Sequence, residues 1–66
     1  LKFSERLTEL MEEKHISSLA LSKIIKVDDA TISRWRRGEM NPTIDKLNIL
    51  CDYFGVTADF LLGRED

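Results

Sequence analysis

SSLALSKIIKVDDATISRWRRG, residues 17–38, holds the pattern that decides the fold. It contains two short amphipathic runs with almost no linker between them. In the first, Ser17 suits a helix N-cap, and Leu21, Ile24 and Ile25 form an apolar stripe at helical spacing. Lys26-Val27 is a very short connection. Asp28 can cap the second helix and also puts negative charge where that helix's dipole favours it. Ile32 and Trp35, three residues apart, turn one face inward with Val27 packing beneath. Arg36 and Arg37 fall in the last turn, and Gly38 suits the positive-φ position that ends it. Helices joined this tightly cross at ~90–120°, so the first braces the second and the second projects outward.

The projecting face follows from helix geometry. Measured from Ile32 at ~100° per residue, Ala30 lies near 160°, Arg34 near 200° and Arg37 near 140°, with Thr31 and Ser33 about 100° to either side. The surface opposite the core is therefore Ala30, Thr31, Ser33, Arg34 and Arg37. It is small, polar and basic. Small residues let a backbone approach base edges, and an arginine fork matches guanine O6 and N7, a pairing worth ~1–3 kcal/mol of discrimination. Thr31 can meet a thymine methyl or a phosphate.

Outward from this stretch every segment reads as helix and none alternates as a strand. Phe3, Leu7, Leu10 and Met11 form an amphipathic stripe with Ser4 as the expected N-cap, running to about Lys14, and His15-Ile16 make a turn. Glu39-Met40-Asn41-Pro42 is the clearest loop. Thr43 then caps a helix carrying Ile44, Leu47, Leu50, Cys51 and Phe54. Gly55-Val56 breaks it, and Thr57 caps a last short helix with Phe60, Leu61 and Leu62, ended by Gly63. The expected fold is all-α, a compact five-helix orthogonal bundle making one domain over residues 1–66, with the helix-turn-helix proper at about 17–37.

Length and charge narrow the function. A chain of 66 residues with 42% hydrophobic and 33% charged residues is globular, but a substrate-enclosing pocket would consume most of its core. The single cysteine, Cys51, excludes an intrachain disulfide. No apolar run approaches the ~18–20 residues of a membrane span and no signal-peptide pattern opens the chain, so a cytoplasmic location is expected. Leu1 at the start, and Gly63-Arg64-Glu65-Asp66 with the look of a linker at the end, suggest a piece of something longer. The net charge of −2 is unusual for a nucleic-acid binder, but its distribution is uneven. Between Lys23 and Gly38 five basic residues oppose two acids, a local +3, while the remainder carries −5. Screening confines each charge to ~8 Å, so one face can be positive on an acidic chain.

Leu21-Ser22, Val27, Thr31-Ile32-Ser33-Arg34-Trp35, Gly38, Pro42-Thr43 and Leu47, at these spacings, resemble the Cro/C1-type helix-turn-helix family of phage and bacterial repressors. The ending Tyr53-Phe54-Gly55-Val56-Thr57-Ala58-Asp59-Phe60-Leu61-Leu62-Gly63 resembles the same family's last two helices. The resemblance covers nearly the whole chain and implies a lambda-repressor-like DNA-binding fold. It also implies that residues 28–37 form the recognition helix, and that Ser18 and the loop from Asn41 to Thr43 hold phosphates.

Three positions depart from the family pattern. Ser22 stands where the family usually has Ala, a small-for-small change. Lys26 stands in the turn where Gly is common, at little cost if the turn needs no positive φ, and it could reach a phosphate. Met11 and Arg36 occupy positions where family members often pair an Arg with a Glu. Both halves differ together, so no unpaired buried charge results. Arg36 is then expected to be free to contact DNA backbone.

Each candidate also has a plainer reading. Arg34 is a base or phosphate contact rather than a solvated charge; Arg37 is a phosphate contact rather than a base reader. Thr31 and Ser33 are divided between DNA and hydrogen bonds to their own helix. Asp29 belongs to the helix start. Trp35 reads as core, His15 as a turn residue, Cys51 as a small core residue and Leu19 as an isolated exposed leucine. Phe60 and Leu61 suit either the core or a dimer patch.

The base-reading candidates are thus Ala30, Thr31, Ser33 and Arg34, and the phosphate candidates Ser18, Lys26, Arg36, Arg37, Asn41 and Thr43. Double-stranded DNA is the expected partner, bound by a homodimer, with no cofactor, metal, membrane or small-molecule substrate. The expected role is a sequence-specific transcriptional regulator, a repressor of prophage or plasmid type on a palindromic operator. The rival is a protein-interaction module of the same fold, an antitoxin or anti-repressor, which would bury apolar groups on that face. A catalytic role finds no paired acid and base.

Overall fold

The computed structural model describes residues 2–64, so Leu1 and the linker-like Glu65 and Asp66 lie outside the described residues. Five helices and no strand occur among them: α1 Phe3–Glu13, α2 Ser18–Ile25, α3 Asp29–Arg37, α4 Ile44–Phe54 and α5 Ala58–Leu61. None is long and apolar enough to cross a membrane.

The α1 stripe of Phe3, Leu7, Leu10 and Met11 is buried as its spacing requires. Ser4 is not its cap. The helix starts one residue before it, with Lys2 at the cap position and its backbone N–H donating to Glu5 Oε1 at 3.0 Å. Burial of Phe3 within the helix draws that first turn in. Ser4 instead faces the end of α3, where a Cβ on Gly38 would lie 3.5 Å from its Oγ. His15 turns the chain at φ +53, and the Ile16 N–H returns to Met11 O at 3.0 Å.

Ser17 Oγ caps α2 by accepting from the Ala20 N–H at 3.1 Å. Leu21 and Ile25, one turn apart, are buried, whereas Ile24 is 51% exposed, contrary to its expected place in the stripe. An eight-residue helix with a 3.6-residue repeat sends Ile24 about 100° away from Ile25, past the edge of the narrow seam. Leu19 is exposed, as expected.

α3 packs on α1 and α2, and α5 on α1 and α4. Ile32 is fully buried and Trp35 is 2% exposed, with the indole edge-on to Phe3 at 6.3 Å between ring centroids. Val27 packs against this core. Leu50, Phe54 and Leu61 complete it from the other side, so Leu61 is core. Phe60 is half-buried beneath the Arg6 guanidinium, 4.2 Å from its ring centroid. Ile44 departs from expectation at 77% exposure. In the first turn of α4 it points away from the seam that Leu47, Leu50 and Phe54 share. Leu62 lies just past α5 and is exposed.

Candidate nucleic-acid interface

Three residues, Lys26, Val27 and Asp28, join α2 to α3. The turn closes with Lys26 at φ +59, ψ +47, its N–H and that of Val27 both directed to Ser22 O. The turn therefore does need positive φ, and a lysine supplies it at a cost that glycine would avoid. Asp28 occupies the N-cap position of α3, where its carbonyl accepts from the N–H groups of Thr31 (3.0 Å) and Ile32 (3.2 Å). Its carboxylate makes no cap hydrogen bond, so the side chain acts on the helix start only through its charge. Gly38 ends α3 at φ +76.

With Ile32 and Trp35 anchored inward, Ala30, Arg34 and Arg37 are exposed and Thr31 and Ser33 half-buried on either side of them. Each of those two borders an open cleft. On the Ser33 side a cleft of about 370 Å³ is lined by Thr8, Ser18, Ser33, Arg36 and Arg37. On the Thr31 side one of about 340 Å³ is lined by the polar Lys26, Asp28, Thr31, Asn41, Thr43 and Lys46 and by the apolar Val27, Trp35, Met40 and Pro42. The ten candidate residues therefore converge on one face: Ala30 and Arg34 on a ridge, Ser18, Ser33, Arg36 and Arg37 down one slope, and Lys26, Thr31, Asn41 and Thr43 down the other.

Arg36 is not free. Its Nη1 donates to Ser18 Oγ at 3.0 Å, tying the end of α3 to the start of α2 in a half-buried contact. Met11, the other half of that changed pair, is buried in the core. Arg37 is engaged too: its Nε donates to Glu39 Oε2 at 2.8 Å and its Nη2 to Glu39 Oε1 at 3.3 Å. These hydrogen bonds hold the Glu39 carboxyl below its usual range and raise Arg37 above its own, so both stay charged near neutrality. Thr43 Oγ1 caps α4 by accepting from the Lys46 N–H at 3.3 Å, which spends one of its lone pairs.

Thr8 and Lys46 were not legible as cleft residues. Thr8 bonds back to Ser4 O on α1 at 2.9 Å and is brought to Ser18 only by the packing of α1 on α3. Lys46 carried one usable signal, a cation within the first turn after the loop. No group of three or more His, Cys, Asp or Glu able to hold a metal occurs among the described residues.

Comparison with known proteins identifies the family. The family model for the Cro/C1-type HTH DNA-binding domain matches residues 6–66. The chain is 30% identical, over its full length, to the HTH-type transcriptional activator BcrR of Enterococcus faecalis, of which it spans 32%. It is 34% identical over 61 residues, 92% of the chain, to the HTH-type transcriptional regulator AnsR of Bacillus subtilis (strain 168), of which it spans 53%. It thus covers a third to a half of these curated relatives. Among solved structures, the P22 c2 repressor protein in complex with synthetic operator 9T superposes with a TM-score of 0.91 at 28% identity, over 98% of each chain. The family match begins in α1, takes in both helices of the turn and runs through α5, and on that extent the chain belongs to the Cro/C1-type helix-turn-helix DNA-binding domain family.

Proposed function

We propose that residues 1–66 form one operator-reading unit of a cytoplasmic transcriptional regulator, a repressor of prophage or plasmid type that binds a palindromic operator as a homodimer. The observation that supports it is the ridge of Ala30 and Arg34 flanked by two open clefts, one offering Ser18, Ser33, Arg36 and Arg37 and the other Lys26, Thr31, Asn41, Thr43 and Lys46. A ridge of small and forked side chains suits the major groove, and the two slopes suit the phosphate backbones that border it. The P22 c2 repressor, alike over 98% of each chain, is solved in complex with a synthetic operator, which supports DNA as the partner.

In this reading Ala30, Thr31, Ser33 and Arg34 meet base edges. Ser18, Arg36 and Arg37 hold one backbone strand, while Lys26, Asn41 and Thr43 hold the other. Arg36 keeps four N–H donors beyond the one given to Ser18, enough to serve a phosphate without releasing the tie. Two copies would set their α3 helices about one DNA turn apart, ~34 Å. Repression by occupying a promoter needs no cofactor, small-molecule substrate or catalytic step. The ridge itself, Ala30 and Arg34, presents no large apolar side chain, which disfavours the interaction-module alternative.

The test is selection from random duplex oligonucleotides at two salt concentrations. An inverted repeat with half-sites one turn apart is the expected product. Retention of no DNA even at low ionic strength sinks the reading, and a single half-site without symmetry sinks the dimer.

A further inference from the structure

Glu39 sits in the fork of Arg37 through two hydrogen bonds, although only one residue separates them. Gly38, left-handed at φ +76, folds the chain back so that the two side chains meet. The pair stands in solvent, 57% and 56% exposed, and its Arg37 lines the cleft that also holds Ser18, Ser33 and Arg36. A carboxylate and a backbone phosphate offer a guanidinium the same two-oxygen edge, so whatever holds the one is shaped to hold the other.

We propose that Glu39 is an internal stand-in for a DNA phosphate: it occupies Arg37 in the free protein and is exchanged for a backbone phosphate when Arg37 joins the interface. This rests on the DNA-binding reading above. An exposed pair is held weakly, so the exchange is easy. It is not neutral in effect. An arginine arriving unpaired neutralises one phosphate and releases its condensed counterions, whereas Arg37 must first give up Glu39, whose freed carboxylate takes up a cation and offsets that release. Glu39 therefore limits the sequence-independent part of the affinity, and its charge is a site at which that affinity is set.

The experiment is fluorescence anisotropy with a short labelled duplex of random sequence, comparing wild type, Glu39→Gln, Arg37→Ala and the double variant. Glu39→Gln is expected to bind more tightly at low salt. Its log-log salt dependence should steepen by about 0.9, which across about 50 to 200 mM salt is a further 3- to 4-fold loss of affinity. In the Arg37→Ala background the same substitution should bring no such gain. A gain that survives Arg37→Ala means Glu39 only repels DNA, and overturns the exchange. A Glu39→Gln isotherm superimposed on that of a binding wild type overturns it as well. A wild type that ignores the duplex at the lowest salt overturns the DNA-binding reading itself, so the two failures are told apart.

Discussion

Arg36 Nη1 donates to Ser18 Oγ at 3.0 Å, the hydrogen bond by which the last turn of α3 grips the first turn of α2. The bond spans the two helices from their far ends, so it fixes the angle that the three-residue turn leaves adjustable. The contact is half-buried and charge-assisted, and its loss should cost about 1 kcal/mol of stability. Ser18→Ala and Arg36→Ala should each show that cost in urea denaturation, and the double variant should cost little more than either. Additive losses would mean the bond does not hold the two helices. Arg36→Ala alone should also lower the salt slope of DNA binding, because only the arginine carries charge.

Lys26 separates folding from binding in a single side chain. It adopts φ +59 to close the turn, a conformation that costs a non-glycine residue roughly 1–2 kcal/mol. Lys26→Gly should relieve about 1 kcal/mol of this and raise Tm by about 4–8 °C in a chain of this size. It should at the same time weaken DNA binding and flatten its salt dependence, since the cation leaves the cleft beside Thr31 and Thr43. A more stable variant with undiminished affinity would remove Lys26 from the interface.

Trp35 is buried, yet among the described residues nothing accepts from its Nε1–H. A buried donor left unmade costs about 1–3 kcal/mol, so part of what the indole gains by burial is offset. Trp35→Phe should therefore lose less than the ~3–5 kcal/mol usual for deleting a large aromatic, and Trp35→Ala should lose all of it. Equal losses from the two, measured by thermal melts, would show that the nitrogen is satisfied.

The sequence made Ile32 and Trp35 readable because they stand three apart among polar neighbours, which leaves one phase for the helix. From that phase alone Ala30 and Arg34 could be placed outside. Ile24 and Ile44 misled because apolar side chains flanking a seam follow nearly the same spacing as those within it; only packing decides which are covered. Ser4 and Lys2 compete for one cap position, and the burial of Phe3 chose between them. The ties of Arg36 to Ser18 and of Arg37 to Glu39 were invisible for opposite reasons. The first joins residues eighteen apart through tertiary packing, and the second depends on a left-handed glycine between neighbours.

Cys51 offers a pH probe of the α4 seam. Burial, and then the neighbouring Asp52 carboxylate, push its thiol above the ordinary range. A group raised on folding contributes stability that is complete below its unfolded value, about 8.5, and is lost as pH climbs through the folded value, because the unfolded chain ionises first. Stability should fall as pH rises above about 8.5, and Cys51→Ala should flatten that fall. Alkylation at mildly alkaline pH should be slower in the native protein than in urea. Equal rates would place the thiol in open solvent.

Arg34 and Arg37 should divide the labour of the interface. Arg34 stands exposed on the ridge, its fork able to span guanine O6 and N7. Arg37 stands on the slope, already holding a carboxylate in the manner it would hold a phosphate. Arg34→Ala should lower affinity for the selected operator by about 1–3 kcal/mol and relax preference at one base position, leaving binding to random duplex nearly unchanged. Arg37→Ala should act alike on operator and random DNA, with no change in the preferred sequence. Parallel selection with the two variants measures this directly. If both shift the same base position, Arg37 reads sequence; if neither does, sequence is read elsewhere on α3, and Ala30, Thr31 and Ser33 carry it.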